Sequence, residues 1–256
     1  MRATEVAPAF EWRSGPAGRM LVCAPLEALA RHLFSTRDLR LRGDDVAREQ
    51  RGVAAALGVD PANVFSVTQV HGRRVALATE DDAVPAGSEA DAIVTVRAWS
   101  AASVLIADCV PVLIGDQRRR AVAAVHAGWR GTAAGIVAAT VDTLRSVGVR
   151  ASDLVVAIGP SIGPCCYQVD APVRQAFAAA GADTEAWFDP DGPDHWRLDL
   201  WRATSDQLRH AGVPMDAIHV AGVCTADHPA HCWSYRRDGP ATGRLIAGIS
   251  LRSQTP

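Results

Sequence analysis

Three short segments of the chain carry residues that could perform chemistry. TQVHGRRV contains His71 before a glycine, ADCVPVLIGD contains Cys109 between two apolar runs, and AVHAGWRGTAAG contains His126 before a glycine-rich turn. Two imidazoles and one thiolate are a suitable ligand set for Zn²⁺, and three protein ligands leave the fourth coordination position for water or substrate. The same residues also suit nucleophilic catalysis, with Cys109 activated by His71 or His126.

The joint placement of these residues matters more than any one of them. A single histidine at a strand end is more often structural, and a single cysteine in an apolar run is usually a small buried hydrophobe. All three residues, however, lie at predicted strand termini, and strands that end on one edge of a sheet would bring them together. We therefore predict a shared site, although no short C-x-x-C spacing supports a metal.

Apolar, β-branched runs predict the elements that position the site. Strands flanking the three segments are predicted over residues 64–71, 91–96, 103–108, 110–116 and 118–128. Helices are predicted over residues 44–57, 131–148, 171–181 and 198–212. Strands and helices alternate without a strict βαβ period, which predicts one mixed-sheet α/β domain over residues 20–256. Residues 1–19, rich in glycine and proline, are predicted to be an irregular N-terminal segment.

Composition excludes several function classes. With 48% apolar and 21% charged residues, the 256-residue chain can build a sizeable core. Its net charge of −2 argues against nucleic-acid binding. The chain has no lysine, which excludes Schiff-base and P-loop chemistry. No apolar run is long enough to span a bilayer, and the N-terminus lacks an apolar signal core, so we expect a cytoplasmic protein that does not bind membranes.

Five segments together resemble a known family. VTQVHG, ADCVPVLI, VAAVHAGWRGT, AIGPSIGPCCYQV and CWSYRRDGPATGR, in this order, resemble the YfiH-like family, also called the laccase-domain or polyphenol oxidase family. The match runs from about Leu33 to Leu251. It implies a single-domain α/β/α sandwich and a metal site of two histidines and one cysteine, which maps onto His71, Cys109 and His126.

The resemblance implies a zinc-dependent purine nucleoside phosphorylase that also deaminates adenosine. Adenosine, inosine or methylthioadenosine would react with phosphate to give the free base and ribose 1-phosphate, and Zn²⁺ would serve as a Lewis acid or activate water. Copper is the alternative cofactor, since older descriptions of the family assign copper-dependent phenol oxidation. Blue-copper centres use an axial ligand such as methionine, and Met1, Met20 and Met215 are distant in sequence from these motifs. A metal-independent Cys–His hydrolase or amidase stays open as another alternative.

Further residues are candidates for substrate contacts. Arg130 precedes a predicted helix, whose N-terminus favours anions, and its guanidinium can bind phosphate through two hydrogen bonds. Gln69 lies two residues before His71, so in a strand it would share a face with that histidine. The resemblance adds Tyr235 and Arg236 of the SYRRDG element and Arg37 of a retained Ser-Thr-Arg motif.

Other conspicuous residues are predicted to be structural. Four acidic residues are expected in a solvated loop: Asp81, Asp82, Glu89 and Asp91. Cys165 and Cys166 are expected to pack beside a turn and to stay reduced, because a bridge between adjacent cysteines is strained. The run CTADHPAHC, with Cys224, His228, His231 and Cys232, fits no standard zinc spacing and is not expected to bind a second metal.

Overall fold

A computed structural model of the chain describes residues 6–181 and 185–251, and its strands form three sheets in that part. In chain order the strands are β1 (Phe10–Gly15), β2 (Gly18–Cys23), β3 (Arg31–Ser35), β4 (Val64–Phe65), β5 (Val75–Ala78), β6 (Ala92–Thr95), β7 (Ser100–Ile106), β8 (Val110–Asp116), β9 (Val122–Ala127), β10 (Leu154–Ile158), β11 (Gln168–Asp170), β12 (Phe188–Pro190), β13 (His195–Leu198), β14 (Ile218–Val220) and β15 (Leu245–Leu251). The first sheet has the order β1-β2-β3-β15-β7-β4, the second β14-β10-β8-β9-β6-β5, and the third β11-β13-β12. Both large sheets mix parallel and antiparallel pairs.

The helices of the described residues lie between these strands. They are α1 (Ala24–Glu27), α2 (Val46–Leu57), α3 (Trp129–Ala133), α4 (Ile136–Ser146), α5 (Ala171–Ala179), α6 (Leu200–His210) and α7 (Tyr235–Asp238). The helix predicted over residues 44–57 is α2, and it ends at Gly58, whose φ of 70° is left-handed. The helices predicted over residues 171–181 and 198–212 correspond to α5 and α6.

The two large sheets share one apolar core, and helices cover their outer faces. Leu21 and Phe34 of the first sheet and Leu113 of the second belong to the core between the sheets. Helices α4, α5 and α6 pack on the other face of the second sheet, and α2 packs on the first sheet. Each fully buried large apolar side chain stabilises the fold by roughly 1.5–3 kcal/mol. The predicted single-domain α/β sandwich is confirmed, with two sheets forming its β layer.

The N-terminal segment differs from the prediction. Residues 1–19 were expected to be irregular, but β1 and β2 form a hairpin that pairs Gly15 with Gly18. Phe10 is buried while Glu11 is exposed, which is the alternation of a strand with one covered face. Turn residues near Gly15 masked this short alternation in the sequence. Residues 1–5 lie outside the described residues.

Two predicted elements near the site differ from expectation, one in length and the other in continuity. Of the strand predicted over residues 64–71, only β4 forms. After Phe65 the backbone makes a single β-bridge, between Thr68 and Glu89, and the Gln69 side chain rather than its backbone pairs with Leu105 of β7. The helix predicted over residues 131–148 begins earlier, at Trp129, and is divided into α3 and α4 at Gly135, whose φ is 81°.

No helix in residues 6–181 and 185–251 is both long and apolar enough to cross a membrane.

Candidate active site

Cys109 and His126 meet at one edge of the second sheet. Strands β8 and β9 are antiparallel, with Val110 opposite Ala127 and Pro111 opposite His126. The start of β8 and the end of β9 therefore lie side by side. Cys109 immediately precedes β8, so its thiol reaches the same edge as the His126 imidazole. The prediction that strand termini bring these two residues together is confirmed.

Asp91 holds both histidines at this edge. Its Oδ1 accepts hydrogen bonds from the His126 Nδ1 at 2.9 Å and from the His71 backbone N–H at 2.8 Å, and its Oδ2 accepts from the Gly72 N–H at 2.6 Å. His71 itself lies in a loop with a left-handed φ of 58°, not at a strand end as predicted. The carboxylate thus replaces the missing strand in positioning His71.

The solvated-loop prediction is confirmed for three acidic residues and wrong for Asp91. Asp81, Asp82 and Glu89 are exposed, whereas Asp91 is fully buried. Burial disfavours its charge, but hydrogen bonds from His126 and the Gly72 N–H outweigh this and lower the pKa of Asp91. The signal for its role was its place directly before the apolar strand β6.

Asp108 fixes the turn that presents Cys109. The chain passes here from β7 in the first sheet to β8 in the second, and Asp108 has a φ of 89°. Its Oδ1 accepts a hydrogen bond from the Thr225 hydroxyl at 2.5 Å, and its Oδ2 accepts from the Arg236 N–H at 2.6 Å. These bonds stabilise a backbone conformation that a non-glycine residue rarely adopts.

Glycines allow the loop after β9 to approach the site closely. A Cβ at Gly128 would lie 2.9 Å from the Cys109 Sγ, and one at Gly131 would lie 2.9 Å from the Gly72 carbonyl oxygen. Both distances are too short for any larger residue without movement of the neighbours. The HAGWRG spacing therefore packs α3 directly against the His71 loop.

The three side chains form a strongly polarised group. Burial opposes ionisation of the Cys109 thiol, but hydrogen bonds from His126 and His71 outweigh it and lower the pKa of Cys109 to about 6. Burial also opposes a charge on His126, but Asp91 and Cys109 raise the pKa of its imidazole to about 9. In the absence of metal, the arrangement favours a thiolate beside an imidazolium.

The donor set suits a metal ion. The ligand atoms of His71, Cys109 and His126 all lie within 4.8 Å of one another. An ionised carboxylate only accepts hydrogen bonds, so Asp91 places the His126 proton on Nδ1 and leaves the Nε2 lone pair for a metal. Two nitrogens, one sulfur and an open side match the three-ligand zinc sites of enzymes.

A cavity of about 640 Å³ opens onto this group, within the range of small-molecule sites. Apolar side chains from Val67, Leu105, Ile106 and Ile162 line it, together with six polar or charged side chains besides the three-residue group: Gln69, Asp108, Tyr167, Tyr235, Arg236 and Arg244. A second cavity of about 530 Å³ lies next to it and shares the walls formed by Val67, Gln69 and Leu105.

The predicted substrate residues differ in how they reach the cavity. Tyr235 and Arg236 line it, and the Arg236 guanidinium lies 5.2 Å from the centre of the Tyr167 ring. Gln69 also lines it, but both ends of its amide are engaged, since they pair with the backbone of Leu105 at 2.7 and 2.8 Å.

Arg37 and Arg130 are not among the residues that line this cavity. The Arg37 guanidinium lies 4.3 Å from the Trp233 ring centre and donates a hydrogen bond to the Pro229 carbonyl. Arg130 is exposed and lies over Trp129 at 4.2 Å, in the first turn of α3 rather than before the helix.

Two cavity residues were missed by the sequence analysis. Arg244 follows the quoted SYRRDG element and lines the cavity, while Tyr167 follows the adjacent cysteines. Burial and the nearby Cys109 charge raise the pKa of Tyr167, so its phenol stays protonated and can donate a hydrogen bond. Both residues stand inside segments that carry the family resemblance, which was the available signal.

Similarity to known proteins identifies the family of this chain. The family model described as multi-copper polyphenol oxidoreductase laccase matches residues 34–252. The chain belongs to this family. A relative from Deinococcus radiodurans, named purine nucleoside phosphorylase, is 35% identical over 91% of this chain and 94% of its own. Another of that name from Pseudomonas aeruginosa is 39% identical over 72% of each chain. The crystal structure of YlmD from Geobacillus stearothermophilus covers 96% of this chain and 99% of its own, with 31% identity and a TM-score of 0.87.

The family's description mentions copper, but no methionine lines the cavity in the part of the chain that the structure describes. Met20 is buried in the core beneath α2, and Met215 is exposed on a short 3₁₀ turn. Met1 lies outside the described residues. Neither described methionine supplies the axial ligand that blue-copper sites use.

Proposed function

We propose that this protein is a zinc-dependent purine nucleoside phosphorylase whose reaction takes place in the 640 Å³ cavity. The observation that carries the proposal is the group of His71, Cys109 and His126 at the floor of a cavity that also holds two guanidinium groups. The names of the relatives support the reaction class. Adenosine, inosine and methylthioadenosine are the proposed substrates, with inorganic phosphate as the second.

His71, Cys109 and His126 would hold the zinc ion, which supplies Lewis acidity to the site when bound. Asp91 would keep both histidines in place, because its carboxylate contacts the His126 ring and the His71 backbone. Asp108 would do the same for Cys109 through its bonds to Thr225 and Arg236.

Two arginines in the cavity wall would bind the phosphate that the reaction consumes. In phosphorolysis a phosphate oxygen forms a bond to C1′ of the ribose, while the bond from C1′ to the purine breaks and the base leaves with the electron pair. The departing purine nitrogen takes up the proton that hydrogen phosphate loses, which gives the neutral free base. Arg236 and Arg244 line the cavity and can hold phosphate by charge-assisted hydrogen bonds. Arg130, at the start of α3, is proposed as an additional phosphate contact from outside the wall.

Apolar side chains would hold the base and exclude water. Val67, Ile106 and Ile162 line the cavity, and Tyr167 presents a ring together with a protonated phenol. A planar purine can stack on such a ring, and the hydroxyl can donate a hydrogen bond to a ring nitrogen of the base. Tyr235, which is 52% exposed, would cover the bound nucleoside from the solvent side.

The test is product identification with the purified metal-loaded protein. Adenosine, inosine and methylthioadenosine are incubated with and without phosphate, and bases and sugars are separated. We expect free base and ribose 1-phosphate only with phosphate, or the methylthio sugar phosphate from methylthioadenosine. Conversion of adenosine to inosine without phosphate would show the deamination that the family resemblance implies. Free base and unphosphorylated ribose, or no product, would contradict the phosphorylase.

One observation favours a second candidate, a cysteine hydrolase. Asp91 orients His126, and His126 hydrogen-bonds the Cys109 thiol, which is the order of base and nucleophile in cysteine hydrolases. Chelation and alkylation separate the two candidates. A hydrolase would survive removal of the metal and lose activity on alkylation of Cys109. The proposed phosphorylase loses activity on chelation and regains it with added zinc.

A further inference from the structure

A second group of cysteines lies outside the cavity. Cys165 and Cys166 follow two Gly-Pro turns, and Cys224 follows β14. An isolated β-bridge between Ser161 and Cys224 joins their segments, with the Thr225 N–H donating to the Ser161 carbonyl at 3.0 Å. The three Sγ atoms all lie within 4.8 Å of one another, and those of Cys165 and Cys166 are 3.5 Å apart.

This group differs from the sequence expectation for both of its motifs. CTADHPAHC was not expected to bind metal, and its own four candidate ligands do not gather in the described residues. The His228 Nδ1 instead contacts the Cys224 carbonyl, and His231 lies against Trp12. Of the four candidate ligands in that motif, only Cys224 lies close to Cys165 and Cys166. Cys165 and Cys166 form no disulfide with each other, as expected.

The donors of this group are all sulfur. Within the described residues, no imidazole or carboxylate lies close enough to join the three thiols as a fourth ligand. The Gly163 N–H donates a hydrogen bond to the Cys224 Sγ at 3.2 Å, which fixes the position of that sulfur beside the other two. Thiolates select soft ions, and Cu(I) accepts three of them in a plane, whereas structural Zn²⁺ normally takes four protein ligands.

The three cysteines differ in their exposure to solvent. Cys165 is exposed, Cys166 is half-buried and Cys224 is buried, so an ion can enter from solvent and be held from below. Although Cys165 is exposed, partial desolvation of its thiol and the neighbouring thiols raise its pKa to about 12. The Cys165 thiol therefore keeps its proton until an ion binds and displaces it.

We propose that Cys165, Cys166 and Cys224 form a second metal site, which binds one Cu(I) ion through three thiolates. The site is separate from the one that holds the proposed zinc ion. The bound ion would cross-link two segments that face the cavity. One carries Ile162 and Tyr167 on its wall, and the other carries Thr225, which hydrogen-bonds Asp108 beside Cys109.

The test is an anaerobic titration of the zinc-loaded protein with Cu(I) in competition with bicinchoninate. The wild-type protein is expected to take up one Cu(I) without releasing zinc, and X-ray absorption is expected to show three sulfur neighbours. Cys165→Ser should lose this equivalent and keep zinc. Because Cys165 is exposed, the serine should not disturb folding. Cys109→Ser is the matched control, and it should lose zinc but keep the Cu(I) equivalent.

Three results would overturn the proposal. One is equal Cu(I) uptake by wild-type protein and Cys165→Ser. Another is loss of the equivalent in Cys109→Ser, which would place the copper at the first site. The third is uptake of Zn²⁺ by Cys109→Ser but not by the double variant that also carries Cys165→Ser, which would assign the three thiols to zinc instead.

Discussion

Two groups of side chains in this protein contain cysteine, and their thiols differ in protonation. Cys109 stands between two imidazoles, and their hydrogen bonds lower its pKa to about 6. Cys165 lies beside two other thiols, and partial desolvation of its sulfur together with these neighbours raises its pKa to about 12. The sulfur at the cavity is therefore ionised at neutral pH before any ligand arrives, whereas the Cys165 thiol is protonated.

The comparison shows that a buried carboxylate accounts for the ionised thiol at the cavity. Asp91 charges His126, and His126 in turn ionises Cys109, so a chain of three residues carries the effect from the core to the cavity. The described residues around the three thiols contain no equivalent chain. Five predictions, from the largest expected effect to the smallest, test this difference.

Replacement of His126 by alanine should have the largest effect. It removes both a proposed zinc ligand and the group that ionises Cys109. We expect loss of bound zinc and a fall in phosphorolysis of at least about 1,000-fold. Metal analysis and base release from inosine measure the two effects. His195→Ala, an exposed histidine away from the cavity, is the control and should change neither. Retention of zinc and activity by His126→Ala would remove His126 from the site.

Asp91→Asn should weaken the site without abolishing it. The amide has nearly the same shape, but its NH₂ group would face either the Gly72 N–H or the His71 N–H, where a carboxylate oxygen now accepts. We expect zinc affinity to fall by about 10- to 100-fold, measured by competition with a chelator. Asp82→Asn, on the exposed loop, provides the control. Unchanged affinity would show that Asp91 does not position the ligands.

Arg244→Ala tests the charge on the cavity wall. Loss of a charge-assisted phosphate contact costs about 1.5–3 kcal/mol, so phosphorolysis should fall by roughly one to two orders of magnitude. The KM for phosphate should rise, while zinc content stays the same. Arg145→Ala, whose guanidinium binds Asp142 on α4, serves as control. A normal KM for phosphate would place phosphate elsewhere.

Arg130→Ala should have a smaller effect on phosphorolysis than Arg244→Ala, because Arg130 is exposed and lies outside the cavity wall. Zinc should remain bound, because the three ligands are intact. Deamination uses water, so it should be affected much less than phosphorolysis. Equal loss of both reactions, or loss of zinc, would contradict a phosphate role for Arg130.

Alkylation of the metal-free protein compares the two groups directly. The pKa of Cys109 lies below its ordinary value, so its reactivity should persist down to about pH 6 and decline as pH falls further. At pH 7 the thiol is roughly nine-tenths ionised, and iodoacetamide should modify it before Cys165, although Cys165 is more exposed. Peptide mapping after brief exposure identifies the modified residue. Faster modification of Cys165 would reverse the comparison.

The sequence predicted the parts of the site that lie on regular strands. The approach of Cys109 to His126 follows from apolar runs that end at the same sheet edge, and this was inferred correctly. His71 was assigned to the correct group but to the wrong element, because its loop is held by a carboxylate rather than by strand pairing. Local patterns cannot show such a contact between distant residues.

Other features depend on tertiary contacts that leave no local pattern. Asp91 ends a hydrophilic run, so composition favoured a solvated loop, yet the sheet buries it completely. Cys224 meets Cys165 only because a single bridge joins two distant segments. The hairpin at Phe10 was hidden by its own turn residues. The mixed α/β class, in contrast, followed from apolar strands that the sequence shows plainly, whereas the division of these strands into two sheets was not predicted.

The most direct test of the central claim follows inosine and phosphate on the zinc-loaded protein by ³¹P nuclear magnetic resonance. The proposed function predicts that the inorganic phosphate signal is replaced by that of ribose 1-phosphate at the same rate as hypoxanthine appears. Cys109→Ser protein, prepared in parallel, should show neither change. Hypoxanthine release with an unchanged phosphate signal, or equal conversion by Cys109→Ser, would contradict phosphorolysis at the site formed by His71, Cys109 and His126.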